Sequence, residues 1–275
     1  MATRTRQLLW DAVKDLRVHP VEKWVRARHG DRTIVDSRRA QLVWEPRRIV
    51  PSYAVPEDDL AAELVPVEGS RVAERSVSLG DREGLLDPHT PFAAHTTPGM
   101  PVTIRTPDGE LAEAGFRPDD ADLAGYVVLD WAAFTEWYDE DELLVAHPRD
   151  PFKRVECLRS SRHVQVAVDG VVLADTTRAT LLCETLLPTR YYIPAEDVAM
   201  DLLVPSDTHT LCAYKGRASY WSARVGETFV KDIAWTYREP LHDAVPVRDR
   251  VAFFTERLDL TVDGRPHERP RTPWS

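Results

Sequence analysis

The sequence predicts a mainly β chain made of two tandem copies of a small antiparallel β domain, with a short N-terminal helix and a second helix ahead of an interdomain linker. Three observations carry this expectation. Short apolar runs with strand alternation are separated by Gly30-Asp31, Asp169-Gly170 and Gly226-Glu227 turns. Two distant regions align residue by residue, which is the mark of an internal repeat. The chain has 275 residues, 43% hydrophobic and 29% charged, which suffices for two small globular domains.

The first element spans residues 5–16, where Leu8, Leu9, Val13 and Leu16 fall at helical spacing. His19-Pro20 ends it, because the residue before a proline avoids helical backbone. It is expected to be a strap docked on the first domain. Strands follow at residues 24–28, 32–36 and 41–44, and the same design returns at residues 164–168, 171–175 and 180–183.

These two regions superpose in sequence. Asp36, Arg39, Ala40, Leu42 and Glu45 lie over Asp175, Arg178, Ala179, Leu181 and Glu184 at fixed spacing. After a one-residue shift, Tyr53, Pro56 and Asp59 lie over Tyr191, Pro194 and Asp197. Beyond that point the copies diverge. The second predicts strands at residues 218–225 and 228–237, whereas the first reads as a longer, looser stretch over residues 88–109, dense in turn signals. Closing strands are expected at residues 125–129 and 250–254.

Residues 131–144 read as a helix with Trp131, Phe134 and Tyr138 on one face, and the acidic run 139–142 as its solvated edge. The expected domains are therefore 1–145, a linker over 146–154, and 155–275. The tail after Gly264 is expected to be extended and to pack through Trp274.

Composition narrows the function classes. A net charge of −10 argues against a general nucleic-acid binder, which needs a basic face. The N-terminus lacks the apolar core of a signal peptide, and no apolar run reaches membrane-spanning length. Cys157, Cys183 and Cys212 fit reduced thiols better than a disulfide framework. The expected setting is the cytoplasm, with neither a nucleic acid nor a membrane as partner.

Reactive and stacking groups concentrate in residues 208–221, read as a loop leading into a strand. This stretch holds His209, Cys212, Tyr214, Lys215, Gly216, Tyr220 and Trp221. Lys215 stands out because the chain has five lysines among 35 basic residues. A primary amine can lose its charge on burial, whereas a guanidinium cannot.

The second copy closely resembles the bacterial and fungal family called domain of unknown function 427. The resemblance rests on Asp175-x-x-Arg178-Ala179, Glu184, the run from Arg190 to Pro194, Glu196-Asp197-Val198, the run from Cys212 to Gly216, Tyr220-Trp221 and Ala234-Trp235-x-Tyr237. It covers about residues 155–264. The first copy matches only through its opening hairpin, Glu45 and residues 53–60. The resemblance implies a compact antiparallel β domain similar to the β-tent folds, and no established activity. Some members carry a nucleotidyltransferase label. Here no Gly-Ser is followed by Asp-x-Asp and there is no glycine-rich phosphate loop, so that label carries no weight.

The expected function is small-molecule binding in the second domain, in a pocket lined by Glu184, Arg190, Tyr192, Lys215, Tyr220, Trp235 and Tyr237. Strand alternation puts Trp235 and Tyr237 on one face with Ile233, and Tyr192 on the face opposite Tyr191. Together with Lys215 they would form a stacking wall with one cation, suited to a small planar or anionic ligand. Glu184 and Arg190 would add a paired charge at the rim. The competing reading is that these aromatics fill a small β core.

Three other readings stand beside it. An enzyme would use Lys215 as base or nucleophile if burial lowered its pKa, with Tyr214 or Tyr220 as proton relay, Glu184 as acid or base, or Cys212 as a thiolate. A metal site would start from His209-x-x-Cys212 with Cys183, but a structural zinc site normally shows a second such pair, so neither metal nor cofactor is expected. A scaffolding role would use the diverged first copy as a structural partner or lid.

Overall fold

The computed structural model describes residues 2–72, 85–270 and 272. The chain divides into two compact units, Met1–Asp150 and Pro151–Ser275. The expected packing of Trp274 lies outside the described residues.

The first unit opens with helix α1 (Thr5–Ala12) and has eleven strands among its described residues. They are β1 (Arg17–Pro20), β2 (Val25–His29), β3 (Arg32–Ser37), β4 (Gln41–Trp44), β5 (Ser52–Pro56), β6 (Glu63–Pro66), β7 (Gly99–Thr106), β8 (Gly109–Pro118), β9 (Tyr126–Leu129), β10 (Glu136–Asp139) and β11 (Glu142–Leu143). Seven form one antiparallel sheet in the order β1-β4-β5-β9-β8-β7-β6, and four form a second in the order β11-β10-β2-β3. A core of Val25, Ala27, Ile34, Leu42, Tyr53, Val102, Val127 and Trp137 joins residues of both sheets. A second cluster takes Val43, Ala54, Phe116 and Val128 from the alternate positions of the long sheet, as the two-residue side-chain period requires, and adds Leu123 from a 3-10 turn.

The second unit also has eleven strands: β12 (Val155–Arg159), β13 (Val164–Val168), β14 (Val171–Thr176), β15 (Thr180–Glu184), β16 (Arg190–Tyr192), β17 (Leu203–Cys212), β18 (Gly216–Val225), β19 (Thr228–Pro240), β20 (Val251–Phe253), β21 (Asp259–Val262) and β22 (Arg265–His267). The orders are β12-β15-β16, β17-β18-β19-β20 and β14-β13-β21-β22. Ile193 and Val251 exchange backbone hydrogen bonds of 2.8 Å and so join β16 to β20. With that bridge, the described strands of the two units lie in the same order. The registers also agree: Leu42 pairs with Tyr53, and Leu181 with Tyr191.

The shared sequence motif has a structural cause. In the first unit Ser37 Oγ donates to Asp59 at 2.6 Å while accepting from Arg39 N, and Arg39 pairs with Asp59. In the second, Thr176 Oγ1 donates to Asp197 at 2.5 Å while accepting from Arg178 N, and Arg178 pairs with Asp197 at 2.6 Å. The Arg and Asp of the motif therefore staple the strand-3 corner to the short 3-10 turn after strand 5.

Several expectations are corrected. Residues 131–144 are not a helix. A 3-10 turn at Trp131–Ala133 leads into the β10–β11 hairpin. The apolar spacing that suggests a helix comes from Trp131 and Phe134 packing on Trp137, at 5.2 and 5.0 Å between ring centres. Nor is the acidic run wholly solvated: Asp139 is buried, accepting from Tyr53 Oη at 2.5 Å and Lys23 Nζ at 2.7 Å.

Helix α1 stops at Ala12 and buries none of its own residues; Leu8 stays 58% exposed, and it is Val13 and Leu16 beyond it that pack. The stretch expected to be loose in the first copy holds β7, paired with β8 as a long hairpin. Residues 208–221 are strand, turn and strand rather than loop and strand.

Candidate functional site

The seven expected residues gather on one side of the long sheet of the second unit. Leu182 of β15, Tyr192 of β16, Ala218 of β18, Trp235 and Tyr237 of β19 and Ala252 of β20 form one cluster, with Cys157, Tyr220 and Phe254 packed against it. Tyr191 and Ile233 belong to the other core. For Tyr191 this is the expected opposite face. For Ile233 it corrects the expectation of a position beside Trp235: β19 bulges at Asp232, whose φ is +49°, where the pairing with β18 slips.

Lys215 enters this cluster from the turn between β17 and β18. Ala213 and Tyr214 are buried within the turn, and the Lys215 carbonyl accepts from Leu241 N at 3.2 Å. Gly216 makes the turn possible, because its φ is +89° and a Cβ there would lie 3.2 Å from the Glu239 carbonyl oxygen. Lys215 Nζ donates to Glu184 Oε2 at 2.5 Å. Lys153 Nζ approaches the other oxygen, Oε1, at 3.4 Å. Lys153 precedes β12 and escapes sequence reasoning, since nothing in its local pattern marks it. Scarcity of lysine is the one signal that would have found it.

Arg190 is not paired with Glu184. It donates two hydrogen bonds to Glu256, of 2.7 and 2.5 Å, and Thr272 Oγ1 donates to the same carboxylate at 2.7 Å. Its guanidinium lies over Trp235 and Phe254, 5.5 and 5.7 Å from the ring centres. Both carboxylates are buried, so the expected rim pair is two separate internal ion pairs. Trp235 Nε1 donates to Tyr192 Oη at 3.0 Å, and Tyr220 Oη shares a 2.9 Å hydrogen bond with Thr210. His209 and Cys212 lie three residues apart on β17 and so point to opposite faces. Among the described residues no group of three or more His, Cys, Asp or Glu side chains is placed to hold a metal.

The electrostatics follow from burial and pairing. Burial by itself pushes the Lys215 amine towards neutrality, but Glu184, helped by Cys212 and Tyr192, outweighs it and holds the ammonium above the usual lysine range. Burial likewise favours a protonated Glu184, and the two lysines overcome it, holding the carboxyl below its usual range. Burial drives Tyr192, Tyr237 and Tyr220 upward, so all three phenols keep their protons. Burial also raises the Cys157 thiol, despite nearby Lys215. The cluster thus offers fixed charge and O–H or N–H donors. A base or amine nucleophile needs the opposite shift at Lys215.

The family model described as Domain of unknown function (DUF427) matches residues 156–264. The matched span falls within the second unit, which is similar to that family from β12 to β21. All seven expected site residues lie inside the matched span, while Lys153 lies just outside it. No curated protein matches the chain.

The first unit has a buried carboxylate at the same place in its strand order. Glu45 follows β4 as Glu184 ends β15. It accepts from His95 Nδ1 at 3.0 Å and Thr96 N at 2.7 Å, with Arg48 Nε at 3.8 Å. Arg48 also donates to the carbonyls of Pro91, Phe92 and Ala94. The His95 ring stacks on Phe116 at 3.7 Å. The segment leading into β7 therefore meets this carboxylate, just as the one leading into β18 meets Glu184.

Proposed function

We propose that the second unit binds a small molecule at the Lys215–Glu184 cluster, and that it binds rather than transforms it. One observation carries this reading. Two ammonium groups, Lys215 and Lys153, meet the single Glu184 carboxylate beside the Tyr192, Trp235 and Tyr237 cluster. A charged group with spare donors set among aromatic side chains has the chemistry of a small-molecule site. The protonated state of Lys215 favours binding over catalysis.

The first unit, on this reading, is a diverged tandem copy without such a site. The common strand order, the matching Ser37 and Thr176 staples and the common carboxylate position support the duplication. Its carboxylate is already met by its own His95, Thr96 and Arg48. One ligand per chain follows. The proposed setting is the cytoplasm, in keeping with three free cysteines. Neither nucleic acid nor membrane is a proposed partner; no helix among the described residues is long and apolar enough to cross a membrane.

A thermal-shift screen against metabolites and nucleotides tests this, run on the wild type and on Lys215→Ala, with Lys215→Arg alongside to keep the charge. A ligand of the folded state raises its Tm. A compound that stabilises the wild type and not Lys215→Ala supports the site. A screen in which no compound stabilises the wild type rejects it.

A further inference from the structure

The hydrogen-bonding capacity left over around Lys215 is all of one kind. Lys215 Nζ has three N–H bonds and uses one, on Glu184. Tyr192 Oη accepts from Trp235, and no acceptor among the described residues takes its own proton. The Tyr237 hydroxyl lies in the same cluster and keeps its proton. These leftover groups can all donate, so a molecule that satisfies them brings acceptors.

Charge adds a second condition. Lys153 and Lys215 share a single carboxylate, and Arg190 is matched by Glu256. The Lys153–Glu184–Lys215 group therefore keeps one net positive charge in surroundings where unbalanced charge is expensive. Lys153 is its most accessible member, with a side chain 17% exposed against 11% for Lys215 and 8% for Glu184.

Building on the binding reading above, we propose that the ligand presents a monoanionic carboxylate to this group. Its oxygens accept from Lys215 and Tyr237, and Lys153 at the outer end balances its charge. A phosphate dianion would overshoot neutrality. A neutral amide would leave the excess charge in place, and an amine would add to it. The aromatic side chains beside the charged group suit a flat body behind the carboxylate.

The test uses the full chain and four probes of similar size or charge type: benzoate, benzamide, benzamidine and inorganic phosphate. Tm is followed against concentration for the wild type, Tyr237→Phe and Lys153→Met. Tyr237→Phe removes one hydroxyl and keeps the ring, so it isolates the binding effect; urea unfolding of the variant checks its stability. Benzoate should raise the Tm of the wild type while benzamide and benzamidine do not. Each variant should weaken benzoate about tenfold, as loss of a hydrogen bond to a charged group implies. The inference is overturned if benzamide or benzamidine matches benzoate, if phosphate surpasses it, or if both variants bind benzoate as the wild type does. Should all four probes be inert while the wider screen yields a Lys215-dependent compound, the carboxylate class is wrong and the site stands. Should the whole screen be inert as well, the site itself is wrong.

Discussion

Lys215 and Glu184 form a buried ion pair, 2.5 Å from Nζ to Oε2, with side chains 11% and 8% exposed. A pair of this kind is valuable mainly because breaking it strands one charge. Glu184→Gln alone should therefore lower stability by about 3–5 kcal/mol, whereas Lys215→Met should cost less because Lys153 still meets Glu184. The double variant should recover part of the Glu184→Gln loss, because only the more accessible Lys153 is then left without the carboxylate. Urea unfolding of the two single variants and the double variant checks this. Additive losses would mean that the two groups do not act as a pair.

The same pair sets a pH window. The Glu184 carboxyl lies below its usual 4.5, so its contribution is complete above that value and fades as pH falls through the lower folded value. The Lys215 ammonium lies above its usual 10.5, so its contribution is complete below that value and fades as pH rises through the higher folded value. Stability from this pair should therefore form a plateau across the neutral range. Glu256, lowered through Arg190 and Thr272 against the opposing effect of burial, adds a second loss on the acid side. Glu184→Gln should flatten the acid limb of a Tm–pH curve without removing it. An unchanged acid limb would contradict the assignment.

Thr176 and Ser37 make the same staple in their respective units. Each is buried, donates to the aspartate after strand 5 and accepts from the arginine two residues on. Thr176→Val and Ser37→Ala should each lower the stability of their own unit by about 1–2 kcal/mol. Hydrogen exchange resolved by residue would locate each loss, and a loss confined to one unit alone would mean the staples are not equivalent.

Most strands and turns, and the Arg and Asp of each staple, were legible in the sequence as local patterns, whereas Ser37 and Thr176 carried no signal of their own. The strands Gln41–Trp44 and Val164–Val168, one in each unit, have the expected bounds. The convergence of Lys215, Tyr192, Trp235 and Tyr237 was legible too, since strand alternation and a short turn fix which face each takes. What escaped notice depends on long-range contacts. Residues 131–144 carry a helix-like spacing, yet Trp137 draws Trp131 and Phe134 into a β arrangement. The partners of Arg190 and Glu184 lie 66 and 31 residues away along the chain, at Glu256 and Lys215, beyond any local rule. His95 and Arg48 were missed because the first unit closes its carboxylate with a histidine and an arginine from segments that share no motif with the second.

Gly99 in the first unit tests how closely the two hairpins are built. It opens β7 opposite Pro118, as Gly216 opens β18 opposite Pro240. The reasons for glycine differ. Gly216 needs its positive φ, whereas a Cβ at Gly99 would lie 2.4 Å from the Arg117 carbonyl oxygen and 2.4 Å from Phe116 Cζ. Phe116 is fully buried and has His95 stacked on it, so it has little room to yield. Gly99→Ala should therefore cost about 1–3 kcal/mol through overpacking. It should also disturb His95 and its hydrogen bond to Glu45, because the ring that must shift is the one His95 rests on. Chemical shifts of the His95 imidazole, followed beside urea unfolding, would register both effects. If the variant is as stable as the wild type and the His95 signals do not move, the β7–β8 hairpin is looser than the Phe116–His95 stack implies.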